Sequence, residues 1–153
     1  MMHNWFVSKI RYEKTMENGM VKKVTEPYLI DALSFTEAEA KTIEEITPFM
    51  SGEFTISDIS RAKYSEVVFN DDSAADKWFN ARVAFVTLDE HSGAEKKTKC
   101  NILVQAADFD EAKTCIVDHM KGTMSDYIID KIEETPIMDV YPYEGTNNPI
   151  DFA

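Results

Sequence analysis

The chain has 153 residues and a formal net charge of −12, with 44% hydrophobic and 11% aromatic residues. That composition suits one globular domain, or two small units sharing a core, and it excludes a disordered chain. The longest apolar runs are only a few residues, which excludes a membrane-spanning helix, and the acidic balance argues against a general coat for nucleic acid or anionic membrane. Two cysteines without a signal-peptide pattern predict reduced thiols and a cytoplasmic location.

The first half of the chain predicts three strands. Residues 4–14 alternate between apolar and polar side chains, as a half-buried strand does. Asn18-Gly19 is a hairpin signal, because both residues tolerate positive φ, and a returning strand is expected over about 20–32. A further strand, bent, is expected over 54–69.

A helix is predicted between the second and third of these strands. Thr36-Glu37-Ala38-Glu39 has the pattern of a capping box, and Pro48 stops a helix that begins there at about Thr47. The 3.6-residue period predicts a core face of Ala40, Ile43 and Ile46.

The second half repeats this plan, with a helix capped by Asp110 and Ala112, Cys115, Ile116 and Met120 on its core face. Matched residues follow the same order in both halves, which indicates a gene duplication. They include Trp5-Phe6 with Trp78-Phe79, Lys22-Lys23 with Lys96-Lys97, Leu29 with Leu103, Phe35 with Phe109, and Val67 with Val140.

The predicted fold is α+β: an internally duplicated ββαβ repeat with antiparallel sheet and two helices on one face, of ferredoxin-like or RRM-like character. One continuous sheet and two abutting sheets are both compatible with the sequence. The expected divisions are a first repeat over 1–70, a linker over 71–76, a second repeat over 77–141 and a flexible tail over 142–153.

Charge is unevenly distributed between the predicted elements. The hairpin regions, 5–31 and 77–105, hold ten of the 16 basic residues but only seven of the 28 acidic ones. The rest of the chain therefore carries a net charge of −15. This predicts acidic helices and mildly basic hairpins.

Each hairpin combines a tryptophan with a cation on one strand face. Trp5 and Lys9 share a face by strand parity, as do Trp78 and Arg82, opposite the face that carries phenylalanines. An exposed aromatic platform beside positive charge is how proteins hold single-stranded nucleic acid without sequence preference. The predicted ligand-binding residues are Trp5, Lys9, Arg11, Lys22, Lys23, Trp78, Arg82, Lys96 and Lys97. The alternative is that the tryptophans belong to a two-sided core and the lysines protect exposed strand edges.

Signals for catalysis or metal binding are poor. His3, His91 and His119 lack ligand-like spacing, and Cys100 and Cys115 form no CxxC pair. No Walker loop, GxGxxG, GxSxG or HExxH pattern is present. The sequence therefore nominates no catalytic residue, no metal site and no cofactor.

The chain resembles an uncharacterised family of proteins of about this length from Bacteroidales bacteria and their phages. The resemblance is carried by Asn4-Trp5-Phe6, Ile10-Arg11-Tyr12-Glu13-Lys14, Val24-Thr25-Glu26-Pro27-Tyr28, Ser34-Phe35-Thr36-Glu37-Ala38-Glu39-Ala40 and Gly122-Thr123-Met124. It spans residue 3 to about residue 143. It implies a cytoplasmic protein associated with phage or mobile elements, and no catalytic residues.

These observations predict a non-enzymatic binding module. Its most specific form is a binder of single-stranded nucleic acid, or of another anionic ligand, on the hairpin faces. The alternative is an acidic protein-interaction module or DNA mimic that regulates a host or phage protein through the −15 surface. No membrane partner is expected.

Overall fold

A computed structural model describes residues 4–143 of the chain, and within them it has an α+β fold of two helices and two mixed four-stranded sheets. The first half contains β1 (Trp5–Thr15), β2 (Val21–Asp31), α1 (Phe35–Ile46), a 3-10 turn (Thr47–Phe49), β3 (Phe54–Arg61) and β4 (Glu66–Val68). The second half contains β5 (Lys77–Leu88), β6 (Glu95–Ala106), α2 (Phe109–Met120), β7 (Asp126–Thr135) and β8 (Val140–Tyr141).

The duplication predicted from sequence is confirmed by these elements. Both halves have the order ββαββ, and both helices have 12 residues. This is one strand more than the predicted ββαβ, because the strand expected over 54–69 is divided into β3 and β4, which belong to different sheets. The two hairpin turns place Gly19 at φ 84° and Gly93 at φ 73°, where glycine avoids the strain that a side chain would bring. A β-bulge follows Lys9 in one sheet and its counterpart Arg82 in the other. Because a bulge changes the local direction of a strand, the two repeats bend at corresponding positions.

The two sheets are separate, with strand orders β3-β1-β2-β8 and β4-β6-β5-β7. All neighbouring strands are antiparallel except at one edge of each sheet, where a short strand pairs in parallel. Val140 lies opposite Leu29, and the matched residue Val67 lies opposite Leu103. The last strand of each sequence repeat is therefore a member of the sheet built by the other repeat.

Because of this exchange, the compact units do not follow the sequence repeats. Unit 1 contains the described residues up to Ala62 together with those from Ile137 onward, and unit 2 is Lys63–Pro136. The expected linker, 71–76, lies inside unit 2. The expected tail, 142–153, falls outside the described residues from position 144 onward.

Both helices begin two residues earlier than predicted. Ser34 caps α1, with its hydroxyl accepting from the Glu37 amide at 3.1 Å, while the Glu37 carboxylate accepts from the Leu33 amide at 2.9 Å. In α2 the same geometry is made by Asp108 and Glu111, so neither Thr36 nor Asp110 is the cap. These reciprocal bonds satisfy amides that the first helical turn leaves without partners.

The helices pack on the phenylalanine face of the sheets. In unit 2 the core consists of Phe79, Ala81, Val83, Ile102, Val104, Ala106, Ala112, Ile116 and Met120, with Cys115 partly buried against it. In unit 1, α1 buries Ala38, Thr42 and Ile46, so the predicted core residues Ala40 and Ile43 lie on the exposed side. Thr42 belongs to the buried face because its hydroxyl donates to the Ala38 carbonyl at 2.7 Å, so a polar side chain lies where the apolar period pointed to Ala40 and Ile43.

Candidate functional site

Both tryptophans are buried, which contradicts the predicted aromatic platform. Trp5 is 4% exposed and Trp78 is 2% exposed. The ring of Phe69 packs edge-on against Trp78, with ring centroids 5.6 Å apart. An indole inside such a contact stabilises the fold through its apolar area and is closed to stacking by a base.

The physical reason lies in the neighbours of each tryptophan on its sheet face. Strand register places Leu29 opposite Val7 and Leu103 opposite Asn80, on the tryptophan side of the two sheets, and both leucines have no exposed surface. Near the start of β1 and of β5, side chains on both faces of the sheet are therefore buried. The alternation of side chains along the strand correctly predicted that Trp5 and Lys9 share a face. It carries no information on whether that face is exposed to solvent.

The cations of the predicted set are accessible. Arg82 is half-buried, and the others are exposed: Lys9, Arg11, Lys22, Lys23, Lys96 and Lys97. The two lysines of each adjacent pair lie on opposite faces of the sheet, because successive strand residues point to opposite sides. Lys23 and Lys97 lie on the tryptophan side, whereas Lys22 and Lys96 lie on the helix side.

In unit 1, two predicted cations line one concavity on the tryptophan side. A cavity of about 330 Å³ brings Arg11 and Lys23 together with Thr55 at the far end of the hairpin. Glu13 and Glu53 also line it, so the cavity is mixed in charge.

In unit 2, four cations share the same face. Lys97 and Lys99 lie two residues apart on β6, Arg82 lies diagonal to Lys99 on β5, and Lys131 lies opposite Arg82 on β7. Residues two apart on a strand are separated by about 7 Å. The spacing of Lys97 and Lys99 could have indicated Lys99 from the sequence, but only strand pairing brings Lys131 to this patch.

Most of these cations lack an acidic partner. Among the ion pairs of residues 4–143, none uses Lys9, Arg11, Lys23, Arg82, Lys97 or Lys99, whereas Lys131 pairs with Glu133 at 3.1 Å. The unpaired charges are available to an anionic ligand.

His119 and Cys115 each interact with neighbouring residues of the fold. His119 Nε2 lies 2.7 Å from Glu66 Oε2, which joins the end of α2 to β4. Burial raises the pKa of the Cys115 thiol, and nearby carboxylates add to the effect, so this thiol is less nucleophilic than a free one. No group of three or more His, Cys, Asp or Glu side chains within 4–143 is placed to hold a metal ion.

Residues 4–143 match the family described as a domain of unknown function, DUF4494. The chain belongs to this family. No curated protein and no solved structure matches the chain. In the described part of this DUF4494 protein, neither helix has the length and apolarity needed to cross a membrane.

Proposed function

We propose that this DUF4494 protein is a non-enzymatic binding module that holds single-stranded nucleic acid by its phosphates. The observation that carries the proposal is the set of unpaired cations on the same face of both sheets: Lys9, Arg11 and Lys23 in unit 1, and Arg82, Lys97 and Lys99 in unit 2. We also propose that it serves a phage or mobile element, as its family resemblance implies.

Charge contact rather than stacking is the basis of this binding. Each phosphate that a lysine or arginine neutralises releases condensed counterions, which makes the affinity depend on salt. With the two indoles buried, the base-stacking part of ordinary single-strand recognition is absent from these positions. Binding is therefore expected to be weak and strongly dependent on salt, with little preference for base sequence.

Fluorescence polarisation with a labelled oligothymidylate about 20 nucleotides long tests the proposal at about 50 and about 200 mM salt. Lys97→Glu is expected to weaken binding at least fivefold, and to reduce the slope of log K against log salt by about 0.7, the value for one lost single-strand contact. Lys23→Glu is expected to act in the same direction in unit 1.

The matched controls are the neighbouring lysines on the helix side, Lys96→Glu and Lys22→Glu. They make the same change in net charge at almost the same place in the chain, but on the other face. They are expected to weaken binding less than twofold. Failure of the natural chain to bind at low salt, or equal losses in Lys96→Glu and Lys97→Glu, would contradict the proposal.

A second candidate function is protein interaction through the outer sides of the helices. Phe35 and Ile43 are each 47% exposed, and their counterparts Phe109 and Val117 are 51% and 37% exposed. The apolar pair thus recurs at matched positions of α1 and α2, two helices that each carry a net negative charge, which suits a basic partner protein. The proposal predicts salt-dependent association with such a partner and no affinity for the oligothymidylate.

A further inference from the structure

A groove in unit 1 lies between the helix-side face of the hairpin and the segment that follows α1. Its volume is about 320 Å³. Strand residues Tyr12, Glu26 and Tyr28 line it together with Phe49 and Met50. The groove adjoins the cation-lined cavity and shares Tyr12, Glu13 and Glu53 with it, but Tyr12 and Glu26 point to the opposite side of the sheet from Arg11 and Lys23.

Glu26 lies between two tyrosines on the helix side of the sheet. The Tyr28 hydroxyl donates to Glu26 Oε1 at 3.5 Å, and Tyr12 lies diagonal to Glu26 on the neighbouring strand. Burial, followed by the Glu26 charge, raises the pKa of both tyrosines, so both hydroxyls stay protonated at neutral pH. No ion pair within residues 4–143 uses Glu26, so its charge faces the groove without a cation of the protein.

The second repeat shows that the fold does not require this polar set. Tyr12 corresponds to Phe85, Glu26 to Cys100 and Tyr28 to Ile102. The three counterparts belong to the apolar core of unit 2 or pack against it. The same fold therefore has apolar side chains at these positions in unit 2, whereas unit 1 has a carboxylate between two tyrosines.

The lining combines aromatic surface with negative charge. Tyr12, Tyr28 and Phe49 supply the rings, and Glu26 supplies a carboxylate on the helix side. Lys14 also lines the groove, and so do Glu13 and Glu53, which are shared with the cavity of Arg11 and Lys23. Aromatic faces attract cations through the ring quadrupole, and quaternary ammonium groups are held in this way. We propose that the groove binds a methylated ammonium group, with Glu26 as its counter-ion and the rings of Tyr12, Tyr28 and Phe49 as its walls.

An amide NMR titration of the full chain tests this site with three probes: choline, the neutral isostere of choline in which carbon replaces nitrogen, and a short peptide containing trimethyllysine. Choline is expected to shift the amide signals of 12–15 and 49–53, and its neutral isostere is not. Peptide binding at least tenfold tighter than choline would identify a protein side chain as the source of the group. Choline binding as tight as the peptide would identify a free small molecule.

Glu26→Gln keeps the shape of the side chain and removes its charge, and it is expected to weaken choline binding about tenfold. Tyr28→Phe keeps the ring and removes only the hydroxyl, so it is expected to weaken binding less. Glu90→Gln makes the same charge change at the tip of the second hairpin and is expected to leave binding unchanged. The site is refuted if neither cationic probe shifts these signals, if the neutral isostere shifts them equally, or if Glu26→Gln and Glu90→Gln behave alike.

Discussion

At the scale of single residues, the tryptophans and the cations of one strand face have separate roles. Trp5 and Lys9 share a face of β1, yet the first is buried and the second is exposed. The same division separates Trp78 from Lys97 in unit 2. One face thus stabilises the fold near the start of the strand and presents charge farther along it.

Trp78→Ala is expected to lower the free energy of unfolding by about 3–5 kcal/mol, because it leaves a large cavity where the indole met Phe69. Urea denaturation measures the effect. Lys97→Ala, on an exposed position of the same face, is the control and should change stability by less than about 0.5 kcal/mol. Unchanged stability in Trp78→Ala would show that the indole is not packed in the interior.

At the scale of elements, the start of α1 illustrates an ambiguity in the sequence. Both Ser34-Phe35-Thr36-Glu37 and Thr36-Glu37-Ala38-Glu39 fit the capping-box pattern. The structure uses the first, with Ser34 in an extended conformation at φ −156°. The pattern identifies the helix but not its first residue, because two residue sets satisfy the same local rule.

Ser34→Ala is therefore expected to cost about 1 kcal/mol of folding free energy, since it removes the acceptor of the Glu37 amide. Thr36→Ala removes a hydroxyl two residues further on and should be neutral or slightly stabilising, because alanine favours the helix interior. Thermal or urea unfolding of the two variants gives the comparison. A larger loss in Thr36→Ala would place the cap where the sequence pattern first suggested.

At the scale of the whole molecule, partly buried tyrosines make the free energy of unfolding depend on pH. Burial raises the pKa of Tyr141 to about 12, with Asp139 and Glu45 adding to the effect. The pKa values of Tyr12 and Tyr28 are also raised, first by burial. A tyrosine whose folded pKa exceeds its unfolded value near 10.0 resists ionisation in the folded state, so its contribution to stability is complete at lower pH and is lost as the pH rises toward 12.

The free energy of unfolding is thus expected to fall between about pH 9 and about pH 12, and urea denaturation across that range measures it. Tyr141→Phe should make the fall less steep, because it removes one of the raised groups while keeping the ring that stacks on Tyr28. If the variant showed the same pH dependence as the natural chain, Tyr141 would not contribute to the loss of stability at high pH.

The sequence by itself determined the duplication, the hairpin and helix of each half, the two glycine turns and the residues that share a strand face. These features depend on local periodicity, turn chemistry and the similarity of the two halves. Only the tertiary structure decided that Trp5 and Trp78 are covered, that β4 and β8 join the sheets of the other repeat, and that Glu26 lies between two phenols in an open groove. Each of these depends on contacts between residues far apart in the chain, and period-2 alternation carries no information on what lies above a sheet face.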